Sequence, residues 1–500
     1  RSGTPFLRLR RKMMDAAAAK ISEVAAAQAE RDESRPYLMA LPGSWPWTVA
    51  FMLSLSAFGL SFYPAVLPLI FIMARSWRHD RYAFLIQLVL VIGGYGFLDP
   101  SATVINLGYL ALPLGVFCAF VLRKSPVMRK LVAAWCVYAL ILLALVIYND
   151  ESFRIQKKIY VLYLAFVFFM VPPAVFAGRK FSYNDFVRTL FPYVFTCCVF
   201  YILDAFVICG YLFVPKTFSW SGVSTFDSLN WMPLSGNFIR KYPPGLYIMC
   251  LLILPLARQY RLRLWQWAVV VLSIGATQTF TFMASLVVIY LCFQPSVRKA
   301  VTYMSIALAA GLALYIVDGA MGSYNYNGDY VTPMRIYSSV QQFVDVSEAA
   351  DDVDLAEFGS GRLAQAIPNL ELLYKLGYQW HGLGFLDKFE TDCPKYIVDS
   401  EYVNDWSFNL FVAGDIEIVV LRVFVAIGWI GLFVHILYFV YNFWVIRRMK
   451  HSLYFLSVLL FFVLMGMGGF EGLVTCQGQM LAAVAIAVPI LSAKSDDDER

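Results

Sequence analysis

Long apolar runs recur along the whole chain, and many can cross the roughly 30 Å of hydrocarbon in a bilayer. They fall near 47–74, 83–98, 104–123, 130–148, 157–178, 187–214, 243–258, 264–294, 300–318, 416–446, 452–468 and 472–492. In lipid every backbone N–H and C=O must be satisfied by the protein itself, so only helices or closed barrels can span. A barrel would show short alternating segments. These runs are continuous, so the expected fold is an all-α polytopic membrane protein. Two runs can be read in two ways. The run 47–74 is centred on "SFYP" and forms either one tilted helix or a hairpin. The run 264–294 carries "GATQTFT" in its middle and is expected to split into two spans. The count is then about 12–14 transmembrane helices, with one long, partly helical extracytoplasmic loop late in the chain.

Composition agrees. Hydrophobic residues make up 60% of the chain and charged residues 15%, against roughly 25% charged in a soluble domain. The net charge of +6 does not point to nucleic acid, because the positive residues sit in short loops between apolar runs. Of nine cysteines, Cys393 alone lies in the long polar segment. With no CxxC and no His/Cys cluster, neither a disulfide framework nor a zinc site is expected. The other cysteines read as small buried hydrophobes.

Lys and Arg set the orientation. The basic short loops are "RSWRHDR" (75–81), "RKSPVMRK" (123–130), "GRKFSYNDFVR" (178–188), "RQYRLR" (258–263), "RKA" (298–300) and "RRMKH" (447–451). Placing all six in the cytoplasm gives a consistent alternation, with 99–102, 149–154, 215–242 and 319–415 outside. The expected segments are a cytoplasmic N-terminal stretch 1–46, a first transmembrane bundle 47–318, an outer loop 319–415, C-terminal transmembrane helices 416–492 and a cytoplasmic tail 493–500. The basic, Ala/Glu-rich N-terminus reads either as a surface-lying amphipathic helix or as a mobile tail, without the pattern of a signal peptide.

The outer loop is acidic, with 14 Asp/Glu against 5 Lys/Arg between Met321 and Val412. Loops of this length are usually functional. After Gly361, "RLAQAIPNLELLYKLG" places Leu363, Ile367, Leu370 and Leu373 at helical spacing, with Gly377 at the C′ position. Pro368 kinks or divides that helix. The whole reads as an amphipathic cover over the outer face of the bundle.

Four features could carry chemistry. Arg362, in "GSGRL", opens the loop helix. A cation is not wanted by the dipole at that end, but a guanidinium beside free N–H groups makes an anion site. The competing reading is a salt bridge to Glu357 or another loop carboxylate. Arg240 and Lys241, in "NFIRKYPPGLY", precede a span on the outer side, and either snorkel as anchors or bind an anion. Asp415, Glu417 and Arg422 enter an apolar run, where charge is costly and faces the bundle interior. Asp415 and Arg422, seven apart, share a helical face, and an internal ion pair is the plain alternative. His381, in "WHGLGF", is the loop's histidine and reads as a base or as a surface residue beside Trp380.

There is no Walker A, GxGxxG, HExxH or DxD-like pattern, so a nucleotide-driven enzyme is not supported. Corresponding broken helices, the sign of a secondary transporter, are not evident.

This layout resembles the Wzy-type O-antigen polymerases, whose plan the O-antigen ligases (WaaL-like) share. The resemblance is carried by the many short-looped spans, the late outer loop and four short motifs. These are an arginine opening a loop helix that ends in a G-x-G turn ("GSGRLAQAIPNLELLYKLGYQWHGLGF"), a second outer arginine before a span ("SGNFIRKYPPGLY"), a polar start to the next span, and a G-x-x-G within it, here Gly428 and Gly431. At the polar start the family usually has a His-Asn pair. Here Asp415, or Asn404-Asp405, stands there. Ligases lean on that histidine more, which favours polymerase.

The loop charges put both termini in the cytoplasm, the N-terminus if 47–74 is a hairpin. The resemblance implies a metal-independent, cofactor-free glycosyltransferase at the outer face of a bacterial inner membrane. It would join undecaprenyl-pyrophosphate-linked oligosaccharides, with a chain-length regulator and a flippase as partners. Arg362, Arg240, Lys241, Arg335 and Arg422 would hold the pyrophosphate. Asp415, Glu417, Glu401 or His381 would take the acceptor proton. The alternatives are a ligase moving finished glycan to lipid A core, and a flippase that makes no bond.

Overall fold

The computed structural model describes residues 35–59, 63–93, 126–149, 171–203, 224–226, 238–240, 260–276, 280–294, 297–324, 330–331, 337, 370, 373–382, 418–467 and 476–497. Among these, helix dominates. The helices are α1 (Ser44–Gly59), α2 (Val66–His79), α3 (Arg81–Gly93), α4 (Pro126–Asn149), α5 (Tyr183–Leu203), α6 (Leu264–Ala276), α7 (Phe280–Cys292), α8 (Val297–Ala320), α9 (Val419–Ile446), α10 (Ser452–Met467) and α11 (Cys476–Asp497). Among the described residues, three stretches are long and apolar enough to cross a membrane: Tyr183–Leu203, Val297–Ala320 and Ile427–Ile446.

Two short antiparallel ladders accompany the helices. Strand β1 (Ser224–Phe226) pairs with β2 (Phe238–Arg240), and β3 (Ser323–Tyr324) with β4 (Tyr330–Val331). Both ladders fall in stretches expected as outer loops.

The two ambiguous runs resolve simply. The run 47–74 is a hairpin: α1 ends at Gly59, a 3₁₀ turn covers Tyr63–Ala65, and α2 returns along α1. The "SFYP" centre breaks the run because proline cannot continue a helix from its interior. The run 264–294 is two helices, α6 and α7.

The core is built from helices that are apolar on every side. Residues 483–490 of α11 are all buried, and α11 packs against α3, α9 and α10. Its alternating alanines let neighbouring backbones approach closely. Helix α5 packs on α1, α3 and α6. Trp45 meets Phe191 and Phe195 edge-on at 6.0 and 5.6 Å, and Phe195 meets Trp265 at 5.2 Å. Polar side chains inside the bundle bond mostly to local backbone: Ser56 donates to Met52 C=O and Ser492 to Val488 C=O. Gln87 instead crosses between helices, donating to the Tyr193 hydroxyl at 2.8 Å.

Contacts between segments gather the basic loops at one end. Ser182 N–H donates to the Tyr82 hydroxyl at 2.7 Å, joining 75–81 to 178–188. Arg188 Nε donates to Met39 C=O, and Leu38 N–H to Arg261 C=O, which adds 36–39 and 260–263. Tyr183 stacks on His451 at 3.8 Å, which adds 447–451. Arg35 lies within electrostatic reach of Tyr290, near the end of α7. Tyr290 meets Tyr303 near the start of α8 at 5.6 Å.

Helices α4 and α9 run antiparallel, since Tyr138 stacks on Tyr438 while Tyr148 lies beside the turn that contacts Gly428. The start of α4, with Arg129 and Lys130, therefore shares the end of the bundle with 447–451. The end of α8, with Asp318, lies one helix length away.

Candidate functional site

Helix α9 is not one rod. At Gly428 the backbone leaves helical geometry, with φ 62° and ψ −169°. That region is open essentially to glycine alone. The break frees N–H groups, and in hydrocarbon these must find acceptors. They find them in a turn of the long polar segment 319–415. Trp429 N–H donates to Gln379 C=O at 2.9 Å and Ile430 N–H to Trp380 C=O at 3.0 Å. The turn comes so close that a Cβ on residue 428 would stand 2.5 Å from Trp380 C and 2.6 Å from the nitrogens of His381 and Gly382.

The turn is itself held by the helical residues 373–375 that precede it; the start of the expected loop helix, with Leu363, Ile367 and Pro368, lies outside the described residues. Gly377 N–H donates to Tyr374 C=O and Tyr378 N–H to Leu373 C=O, with Gly377 at φ 74°. This is a Schellman cap with Gly377 at C′, as its position in the sequence predicts. Leu373 is fully buried and anchors the cap. Gly382 N–H then returns to Tyr378 C=O at 2.7 Å.

His381 sits at the tip. Its ring meets Tyr148, near the end of α4, at 4.9 Å and Tyr378 at 4.8 Å. It is half-buried between the loop and the end of α4. Its Nδ1 lies 3.0 Å from Gly382 C=O. With Nδ1–H donating there, a neutral ring carries its lone pair on Nε2, the form a general base needs. Trp380, beside it, is exposed.

Below this tip the α4–α9 interface holds a second polar group. Tyr138 Oη and His435 Nδ1 are 2.8 Å apart. Tyr138 and Tyr438 stack at 4.4 Å with ring planes 12° apart. Asn442, fully buried, donates to Tyr438 C=O at 2.8 Å, and its Oδ1 has no hydrogen-bond donor among the described residues. An ionisable residue at membrane depth usually has a functional reason or a firm partner. The sequence reading passes over His435, although a histidine inside "GLFVHILYF" was the available signal.

The other expected residues divide as follows. Arg240 closes β2, its Cα opposite Ser224, so the strand pair fixes its backbone within 215–242. Arg422 stands in the first turn of α9, before the Gly428 break. Arg362, Asp415, Glu417, Glu401, Lys241 and Arg335 lie outside the described residues. So does the pairing of Asp415 with Arg422. Of the motif glycines, Gly428 meets the turn that carries His381, while Gly431 packs against the side chain of Ile427 in the same helix.

No family model matches the chain, and no curated protein matches it.

Proposed function

We propose that this chain is a Wzy-type membrane glycosyltransferase, a polymerase of undecaprenyl-pyrophosphate-linked oligosaccharide repeat units working at the outer face of a bacterial inner membrane. One observation carries this reading: the His381 turn of the late loop is docked into the Gly428 break of α9, at the end of the bundle away from the basic loops. By the positive-inside rule that end is the outer one. A broken membrane helix capped by an outer loop is a suitable floor for a substrate whose lipid stays in the bilayer and whose glycan stays in water.

In this reading an acceptor hydroxyl attacks the anomeric carbon of the donor glycan. The bond from that carbon to the pyrophosphate oxygen breaks, and the lipid pyrophosphate leaves with the electron pair. The hydroxyl proton passes to a base, for which His381 Nε2 is the described candidate and Asp415, Glu417 and Glu401 are the others. Arg362, Arg240, Lys241, Arg335 and Arg422 are assigned to the pyrophosphate, whose growing charge they would neutralise. The leaving group is already activated, so the scheme calls on no nucleotide.

Gel analysis of surface polysaccharide in a deletion strain, complemented with wild type or Arg362→Ala, tests this. A polymerase leaves single repeat units on lipid A core after deletion, and only wild type restores the ladder. Bare core with long glycan on the lipid carrier makes the protein a ligase. Repeat units trapped on the cytoplasmic side make it a flippase.

A further inference from the structure

At the basic end, Arg81 opens α3 with its guanidinium 3.2 Å from the ring centroid of Trp77. Phe84 closes on the same ring at 5.0 Å. Two guanidinium nitrogens, Nε and Nη1, are shielded from solvent and have no acceptor among the described residues. Orphaned donors on a charged group are costly and call for an explanation.

The neighbourhood supplies more positive charge. Tyr82 is gripped by Phe176 at 5.0 Å and Phe181 at 5.4 Å, and by the Ser182 N–H. That clamp brings the turn at Gly178, φ 72°, and the exposed Arg179 into electrostatic reach of Arg81. Both burial and Arg179 disfavour the charge on Arg81. The nearby carboxylates do not fill the gap. Asp80 accepts the N–H groups of Tyr82 and Ala83, and Asp185 is felt at Asp80 as a repelling neighbour. Beside the arginines, Leu67, Ile70, Phe71 and Trp77 expose an apolar stripe along α2, spaced to lie on one helical face.

We propose that Arg81 and Arg179 bind the phosphate of an anionic phospholipid, whose acyl chain lies along the α2 stripe. The phosphate oxygens would accept from Arg81 Nε and Nη1 and would separate two like charges. The stripe selects a lipid over a free anion, because it runs from Trp77 toward the middle of the hydrocarbon. This site stands apart from the glycosyl-transfer reading and needs only that the chain be embedded in a membrane.

The test is native mass spectrometry of the purified full chain in mild detergent, titrated with phosphatidylglycerol, phosphatidylethanolamine or inorganic phosphate. Wild type should bind phosphatidylglycerol in preference. Arg81→Gln and Arg179→Gln should each weaken that binding about fivefold, the effect of one basic residue beside an anionic headgroup. Arg179 is exposed, so its variant keeps the fold if Arg81→Gln does not. Phosphatidylglycerol binding unchanged in Arg179→Gln overturns the site. Inorganic phosphate competing at equal strength overturns the lipid and leaves a phosphate site.

Discussion

Gly428 lies against the backbone of His381, so that a methyl group on its Cα would stand 2.6 Å from the His381 nitrogen. Its backbone, at φ 62° and ψ −169°, is in a region closed to other residues as well. Gly428→Ala should therefore expel the 378–382 turn or straighten α9. The backbone term alone is about 1–3 kcal/mol, and the lost loop-to-helix hydrogen bonds add to it. Gly311→Ala is the control, because nothing lies within 4 Å of a Cβ there. It should be neutral or stabilising by up to about 1 kcal/mol. Thermal unfolding in detergent, followed by tryptophan fluorescence, separates the two.

Tyr138 and His435 hold α4 to α9 by one hydrogen bond of 2.8 Å. Tyr138→Phe deprives the imidazole of that partner and should cost about 1–3 kcal/mol. Tyr138→Phe combined with His435→Phe should cost less than the sum of the two single changes. A double-mutant cycle on unfolding free energies checks this, and strict additivity would mean that the pair is not coupled.

Much of the architecture was legible before any coordinates. The sequence left 47–74 open between one tilted helix and a hairpin, with "SFYP" marking where it turns, while the split of 264–294 followed from its polar centre and the end of the loop helix from Gly377. Each is a local signal, a residue whose backbone chemistry decides the outcome by itself. The break at Gly428 was not legible. Glycines such as Gly428 and Gly431 in an apolar run are usually tolerated within a helix, and here a distant turn supplies the acceptors that stabilise the break. His435 was missed for a similar reason. Its partner is 297 residues away in sequence, and one histidine adds little to a hydropathy pattern. Only packing brings such residues together.

Asp80 carries a pH prediction. Burial, its largest influence, raises its carboxyl above the ordinary value, and Asp185 adds to this, while the Ala83 and Tyr82 N–H bonds and Arg75 oppose it. A carboxyl raised by folding makes the charged form unfavourable in the fold. Stability should therefore increase as pH falls through its folded pKa. Asp80→Asn keeps a capping oxygen for α3 without the charge, so it should flatten that dependence and unfold no lower than wild type at neutral pH. Asp80→Ala loses the cap, at about 1 kcal/mol. Melting temperatures of the three proteins across acidic to neutral pH decide it.

The two ends of the bundle should label from opposite sides. In a cysteine-free background, Trp380→Cys, at an exposed site on the docked turn, should react with a membrane-impermeant maleimide applied to spheroplasts. Arg179→Cys, in the exposed turn at the basic end, should react only after the membrane is opened. The reverse pattern would invert the bundle and place the His381 turn in the cytoplasm.

The most direct measurement is reconstitution of the purified chain in vesicles with undecaprenyl-pyrophosphate-linked repeat units supplied to the face that carries the His381 turn. The expected result is a ladder of longer lipid-linked glycans and one released undecaprenyl pyrophosphate per bond formed, both abolished in Arg362→Ala. Repeat units recovered unjoined, from vesicles in which the chain is folded and correctly oriented, would contradict the glycosyltransferase reading.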